Sequence, residues 1–322
     1  MRRFFALART AALESLAESL SAVVFLAALL LVHLAPVFHY HRFGEAARLP
    51  RECGLSALLV FGLAFATSAA VRTIGRELSS GTASAALALA VPRALFHCAK
   101  TAGVFAAFLL FAAAAACATL LSARTSALGA QIAATGVDVR IWGPGLMCGV
   151  GGTILAFAMA AAANRFMRWR FCVSACLMTA FAQPVALMAA FAMGGFADDG
   201  ALARGMARLF PAFAVLAGGC LVFVALAAAL ATRFKASVVA AVMAGAVVAS
   251  FLTAPMAQMC PFAGGVIRAL LPALSDFWVA DQLLGGGAMQ MDEALRLLAV
   301  SALLVAFWMG VGSVMLSRRE LP

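Results

Sequence analysis

Apolar residues in this chain do not alternate with polar ones at the period of a strand or of a surface helix. They come in long unbroken runs separated by short charged segments. Eight runs, 20–38, 54–71, 101–121, 145–163, 171–193, 210–231, 236–254 and 297–316, contain no Asp, Glu, Lys or Arg. At 1.5 Å per residue, runs of about 18 to 23 residues cross a hydrocarbon core about 30 Å thick. The pattern therefore predicts an all-α fold, a polytopic membrane helix bundle of about eight transmembrane helices.

Two shorter stretches break this rhythm. Leu13, Leu16 and Leu20 recur at helical spacing beside Arg9, Glu14 and Glu18, which predicts an amphipathic interfacial helix within residues 1–19. A first membrane helix that simply extends beyond the lipid fits the same residues. Residues 261–274 are apolar but too short to span, and Pro261, Gly264, Gly265 and Pro272 bracket them. They predict a re-entrant or surface-lying segment inside a longer loop, 255–296. No internal repeat or soluble segment divides the chain, so residues 1–322 read as one membrane domain.

Composition agrees with the pattern: 65% of residues are apolar and 11% charged, far from the balance of soluble domains. The net charge of +10 is distributed by side. If the N-terminus is cytoplasmic, the inner segments hold 14 of the 23 Lys and Arg residues, and the outer loops hold nine, offset by nine of the 13 acids. Both termini are therefore predicted to be cytoplasmic. In such a chain a basic total reports topology, and nucleic acid is not an expected partner. Arg2 and Arg3 do not open a cleavable signal, because Glu14 and Glu18 interrupt the segment and no small-residue cleavage site follows.

Candidate chemistry is sparse. Secondary transporters keep ionisable groups within their spans to bind a coupling ion, and these runs have none. His33 is the one imidazole in a run, and it reads as a packed histidine. His39-Tyr40-His41 and the Cys172/Cys176 pair lack the further ligands of a metal site. The eight cysteines read as small apolar residues, and spacing leaves open whether Cys53 and Cys260 pair. Gln183-Pro184 interrupts the fifth run, either as a kink shaping a cavity or as ordinary packing. No protease signature, hydrolase elbow or Walker A sequence is present, so no catalytic residue, metal or cofactor is assigned.

The polar segment 72–100 carries the most information. Arg76-Glu77-Leu78-Ser79-Ser80-Gly81-Thr82 leads into an Ala-rich run, then Pro92-Arg93, and Lys100 opens the next apolar run. This order resembles the cytoplasmic signature of permeases of ATP-binding-cassette transporters, the type-2 exporter family. Glu77, Gly81, Thr82, Arg93 and Lys100 fall in register. Pro92 sits two residues later than the family's proline, where this chain has Ala90. The stretch 271–281 is similar to a proline-centred aromatic segment before the last helix of that family; Phe277 and Trp278, beside acids, read as a headgroup boundary. Six spans are usual there, and eight here is a departure.

The resemblance implies a permease subunit that is not itself an enzyme, driven by a separate ATP-binding-cassette ATPase that binds the ATP. It implies a homodimer or heterodimer in the cell membrane of a bacterium, acting as an exporter. Arg76, Glu77, Gly81, Thr82, Arg93 and Lys100 would then couple the two subunits. A passive channel or carrier, or a membrane assembly factor, are the alternatives without an ATPase.

Overall fold

The computed structural model describes residues 1–38, 45–79, 91–135, 141–195 and 200–319. Its elements are helices throughout, with no strand among the described residues. α1 is Arg2–Ala17 and α2 is Ser19–Leu34. α3 runs Arg48–Ala70 and continues through a π turn, Val71–Arg76, into Glu77–Ser79. α4 is Arg93–Ala134, α5 Gly143–Met167, α6 Phe171–Gly195 and α7 Ala201–Ala231. α8 is Ala236–Phe251, α9 Thr253–Met259, α10 Pro261–Leu270, α11 Leu274–Phe277 and α12 Met291–Ser317.

Seven of the eight predicted runs correspond to helices long and apolar enough to cross a membrane. The eighth, 236–254, is broken: α8 and α9 meet at Leu252 with a bend of 65°. The helices also outrun the apolar stretches that announced them. At 42 residues α4 is about 63 Å long, roughly twice the hydrocarbon thickness, and so carries Lys100 and Arg124 beyond its apolar centre. α3 begins at Arg48 and not at residue 54, and α12 begins at Met291, inside the segment expected as loop. Charge-free runs mark where a helix lies in lipid, and helix propensity carries it further into water.

α4 lies at the centre and packs against α1, α2, α3, α6, α7 and α12. Phe25 of α2, Phe65 of α3 and Phe111 of α4 form a buried aromatic knot, with Phe25 edge-on to both neighbours at centroid distances of 5.9 and 5.1 Å. Around this core the small residues set how closely helices approach. An ideal Cβ on Gly103 of α4 would lie 2.3 Å from the Ala8 carbonyl oxygen and 2.6 Å from the Ala11 Cβ, so α1 lies directly on the α4 backbone. α1 ends at Glu18, whose extended backbone (φ −72°, ψ 140°) separates it from α2. The break makes α1 a helix distinct from the first span, and it starts at Arg2, earlier than the leucine spacing indicated.

α5 and α6 form a hairpin on the outside of α2 and α4. A buried polar chain joins it to the core. The His33 ring donates from Nε2 to Gln183 Oε1 at 2.7 Å, and Gln183 Nε2 donates to Thr153 Oγ1 at 3.2 Å and to the Thr179 carbonyl at 3.3 Å. Gly149 leaves room for the His33 ring. His33 is thus a packed histidine, and Gln183 gives the Gln-Pro pair its purpose: holding three helices together.

Beyond α8 the chain leaves the bundle and returns. Ser250 donates to the Pro272 carbonyl and accepts from the Leu274 amide at 3.2 Å, so the two ends of 253–272 meet. A crossing would hold those ends about 30 Å apart. The segment is a helical hairpin, α9 against α10, turned at Cys260, and the Trp308 indole donates to the Leu270 carbonyl at 2.8 Å. Phe262, Val266 and Leu270, one turn apart, face outward, as a lipid-facing stripe would. Phe277 corrects the headgroup reading: it is buried against Gly219 of α7. Cys53 and Cys260 are both free thiols.

The seating of α1 is testable. Gly103→Ala places a methyl group against the α1 backbone and should destabilise the fold by about 1–3 kcal/mol, read as a lower melting temperature in detergent. Gly151→Ala, whose Cβ meets nothing within 4 Å, should be neutral. Equal effects of the two would show that α1 does not rest on Gly103.

Candidate functional site

Charged residues from six elements collect at one end of the bundle. The breaks after α3, α5 and α7 and the end of α12 all face this way: Gly75 adjoins Ala231, and Arg233 donates to the Met315 carbonyl at 3.1 Å. Arg319 donates to the Thr232 carbonyl, so the C-terminal end lies here as well. α1 lies at the same end, and both termini therefore share it.

Lys100 is at the centre of this cluster and is 2% exposed. Its Nζ donates to Glu77 Oε1 at 2.5 Å and to Glu14 Oε2 at 3.0 Å. A buried ammonium needs partners of opposite charge, because its desolvation costs several kcal/mol. The two carboxylates come from the end of α3 and from α1, so three segments distant in sequence are joined at one nitrogen. Burial raises the Glu77 carboxyl above its ordinary value of 4.5, opposed by the hydrogen bond and charge of Lys100. Arg72 adds a second link to α1 through Glu18 Oε2 at 2.8 Å. Ser21 Oγ donates to the Ser15 carbonyl at 2.6 Å and fixes α2 to α1.

The structure brings together four of the six coupling residues expected from sequence. Glu77 and Lys100 are direct partners. Arg93 is engaged elsewhere at the same end, donating to the carbonyls of Ser317 at 2.9 Å and Arg319 at 2.8 Å. Arg76 lines the cavity described below. Gly81 and Thr82 lie outside the described residues, as do Ser80 and the His39-Tyr40-His41 stretch. Glu77, expected from the resemblance as a coupling residue, also has an internal role as a partner of Lys100. Glu14 was read as part of the polar side of the N-terminal helix and as a break in a signal-like segment, not as a partner of Lys100. Its spacing from Lys100 carries no sequence signal, because the pairing is set by how α1 crosses α4.

His97, one turn before Lys100, was not singled out either. Its ring is buried against Gly312 of α12, and neither nitrogen has a hydrogen-bond partner among the described residues. No cluster of three or more metal-ligating side chains occurs among the described residues.

Beside the ion cluster opens a cavity of about 1260 Å³ between α3 and α8. Leu59, Leu63, Met243, Val247 and Phe251 form its apolar walls, and Arg72, Arg76, Arg233, Lys235 and Arg319 ring its charged end. α8 packs only lightly on its neighbours, which is why the space exists. Comparison with protein-family models, with curated proteins and with solved structures gave no match to this chain.

Removing the central cation tests the cluster. Lys100→Met leaves Glu77 and Glu14 facing each other and should destabilise the protein by about 3–5 kcal/mol. Without Lys100, the Glu77 carboxyl rises further, so the folded state holds its proton more tightly than the unfolded state. The variant should then be most stable at or below pH 4.5 and lose stability as pH rises through the raised Glu77 value. Melting curves across pH for the wild type, Lys100→Met and Lys100→Met/Glu77→Gln measure this. A slope in Lys100→Met that persists in the double variant would assign the effect to another group.

Proposed function

We propose that this chain is the membrane-spanning permease subunit of an ATP-driven transporter of the ATP-binding-cassette type-2 kind, coupled to a separate ATPase and working as a dimer. The observation that carries the reading is the Lys100 junction. The segment that bears Gly81 and Thr82 begins at Glu77, and Glu77 is fastened to α4 through Lys100 and, through the same nitrogen, to Glu14 of α1. Force applied by a docked ATPase to that segment is delivered to α1, α3 and α4 together.

The π turn Val71–Arg76 lies directly between the junction and the wall of the cavity. Such turns leave the helix ladder locally irregular and are frequent at functional positions. A shift of the α3 end would alter the cavity between α3 and α8, which supplies a route for a ligand. In energetic terms, the ATPase states must bind the two conformations with different affinity for hydrolysis to drive the change. The charge-free spans support external energy in preference to a coupling ion carried on this chain.

In this reading the Lys100 end is cytoplasmic and the α9–α10 hairpin faces outward, which agrees with the excess of Lys and Arg at the Lys100 end. The protein sits in the cell membrane as an exporter. The chain carries no ATP site of its own, and hydrolysis belongs to the partner subunit.

Recovering the full chain from its native membranes and assaying vanadate-sensitive ATP hydrolysis tests the proposal. The wild type should bring an ATP-hydrolysing subunit with it. Gly81→Leu should lose that activity by at least about tenfold while remaining folded, because a bulky side chain obstructs the docked surface. Glu77→Gln, which keeps a hydrogen-bonding group at Lys100, should retain association. Transport by the chain without any hydrolysing subunit would make it a passive carrier, and neither association nor transport would leave an assembly role.

A further inference from the structure

We infer that the cavity between α3 and α8 is a binding site for an anionic amphiphile, a molecule with a phosphate- or carboxylate-bearing head and an apolar chain. This deepens the transport reading by naming the class of ligand, although binding as such requires no ATPase.

The first observation is shape. The cavity follows α3 from Leu59 to Arg76, a rise of about 26 Å, and α8 along most of its length. That is the extent of a long alkyl chain with its headgroup. The walls along this path are apolar, from Phe251 and Val247 down to Leu63 and Met243. A water-filled slot of this lining in the hydrocarbon region would be unfavourable, and an apolar chain satisfies it.

The second observation is the segregation of charge. Five cations line the cavity's basic end, and no acid among the described residues does. The acids of this end, Glu14, Glu18 and Glu77, lie on the α1 side beside Lys100, Arg72 and Arg76, and Arg72 pairs with Glu18, so the cavity cations set apart from them are Arg233, Lys235 and Arg319. Glu320 lies outside the described residues. Arg233 and Arg319 are held by backbone carbonyls of Met315 and Thr232, which fix the guanidinium groups without neutralising them. Lys235 stands at the position before α8, at the same mouth. Preoriented guanidinium groups of this kind suit phosphate and carboxylate oxygens. A purely topological role would place Lys and Arg at this end but would not set Arg233, Lys235 and Arg319 apart from the acids.

The occupant is therefore amphiphilic in the same sense as the site: its anion at Arg233, Lys235 and Arg319, its chain along α3 and α8. A cationic amphiphile is disfavoured at the mouth, and a free inorganic anion leaves the apolar walls uncovered.

The test uses the full chain in nanodiscs of equimolar phosphatidylglycerol and phosphatidylcholine, transferred to dodecyl maltoside, with retained lipid counted by native mass spectrometry. Wild-type protein should retain phosphatidylglycerol over phosphatidylcholine by about tenfold. Arg233→Gln/Lys235→Glu should abolish the preference. Ala244→Trp fills the apolar part of the cavity at a position away from the charges, and should reduce retention of phosphatidylglycerol to the level of phosphatidylcholine. Circular dichroism and size-exclusion chromatography establish that both variants fold. Equal retention of the two lipids by the wild type, or an unchanged preference in either folded variant, overturns the inference. Displacement of the bound lipid by inorganic phosphate at millimolar concentration would make the site one for a free anion and overturn it too. Loss of ATPase association with the lipid preference intact would count against the transport reading alone.

Discussion

The buried Lys100 ammonium is the constraint around which the charged end of this bundle is arranged. Placed on the central helix immediately before its apolar run, it cannot reach water and must find anions within the fold. Glu77 and Glu14 supply them, and each choice has a structural consequence. Pairing with Glu77 draws the end of α3 inward, so the helix continues past its apolar stretch through a π turn. Pairing with Glu14 requires α1 to lie across α4, which only a residue without a side chain at position 103 permits. The same ion triad therefore positions the N-terminal helix, the start of the polar segment and one wall of the cavity.

Elsewhere the bundle meets its polar requirements with neutral groups. His33, Gln183 and Thr153 form a hydrogen-bonded chain that joins the α5–α6 hairpin to α2. Such bonds contribute modestly in a membrane, because the separated helices find other partners. Their value is geometric: a hairpin with mostly apolar contacts has few other features to fix its register. His97 shows the opposite case, a buried ring with no partner among the described residues, set against Gly312 in the tightest part of the α4–α12 contact. A buried imidazole without a hydrogen bond costs stability, which distinguishes it from the satisfied His33.

What the sequence revealed follows from which forces are local. Charge-free runs report burial in lipid directly, so the helices and the excess of basic residues at one end could be read from the sequence. The non-crossing hairpin was also readable, since Pro261 and a ten-residue apolar helix limit its reach. Helix ends were not, because α3, α4 and α12 continue into water by propensity and ion pairing that hydropathy does not register. The Lys100–Glu77 pair joins residues 23 apart and was bracketed by the polar segment, yet its third member, Glu14, lies 86 residues away on a helix whose crossing is set by Gly103. Phe277 was misplaced for a similar reason: its neighbours in sequence are acidic, but its neighbour in space is Gly219. The cavity had no sequence signature at all, as it arises from the loose packing of α8.

The junction and the cavity share α3. Arg72 pairs with Glu18 on the α1 side and also lines the cavity, and Arg76 does so one turn later, immediately before Glu77. A displacement of Glu77 thus bears on two cavity residues of the adjoining π turn, whereas Arg233 and Arg319 are tied to α12 and the end of α7 and would stay in place. Closing or widening the charged mouth then needs only a small movement of the α3 end relative to α7 and α12. The π turn is where such a movement costs least, since its hydrogen bonds already depart from the α ladder. Coupling between the polar segment and the cavity needs no long pathway in this arrangement, because one helix end belongs to both.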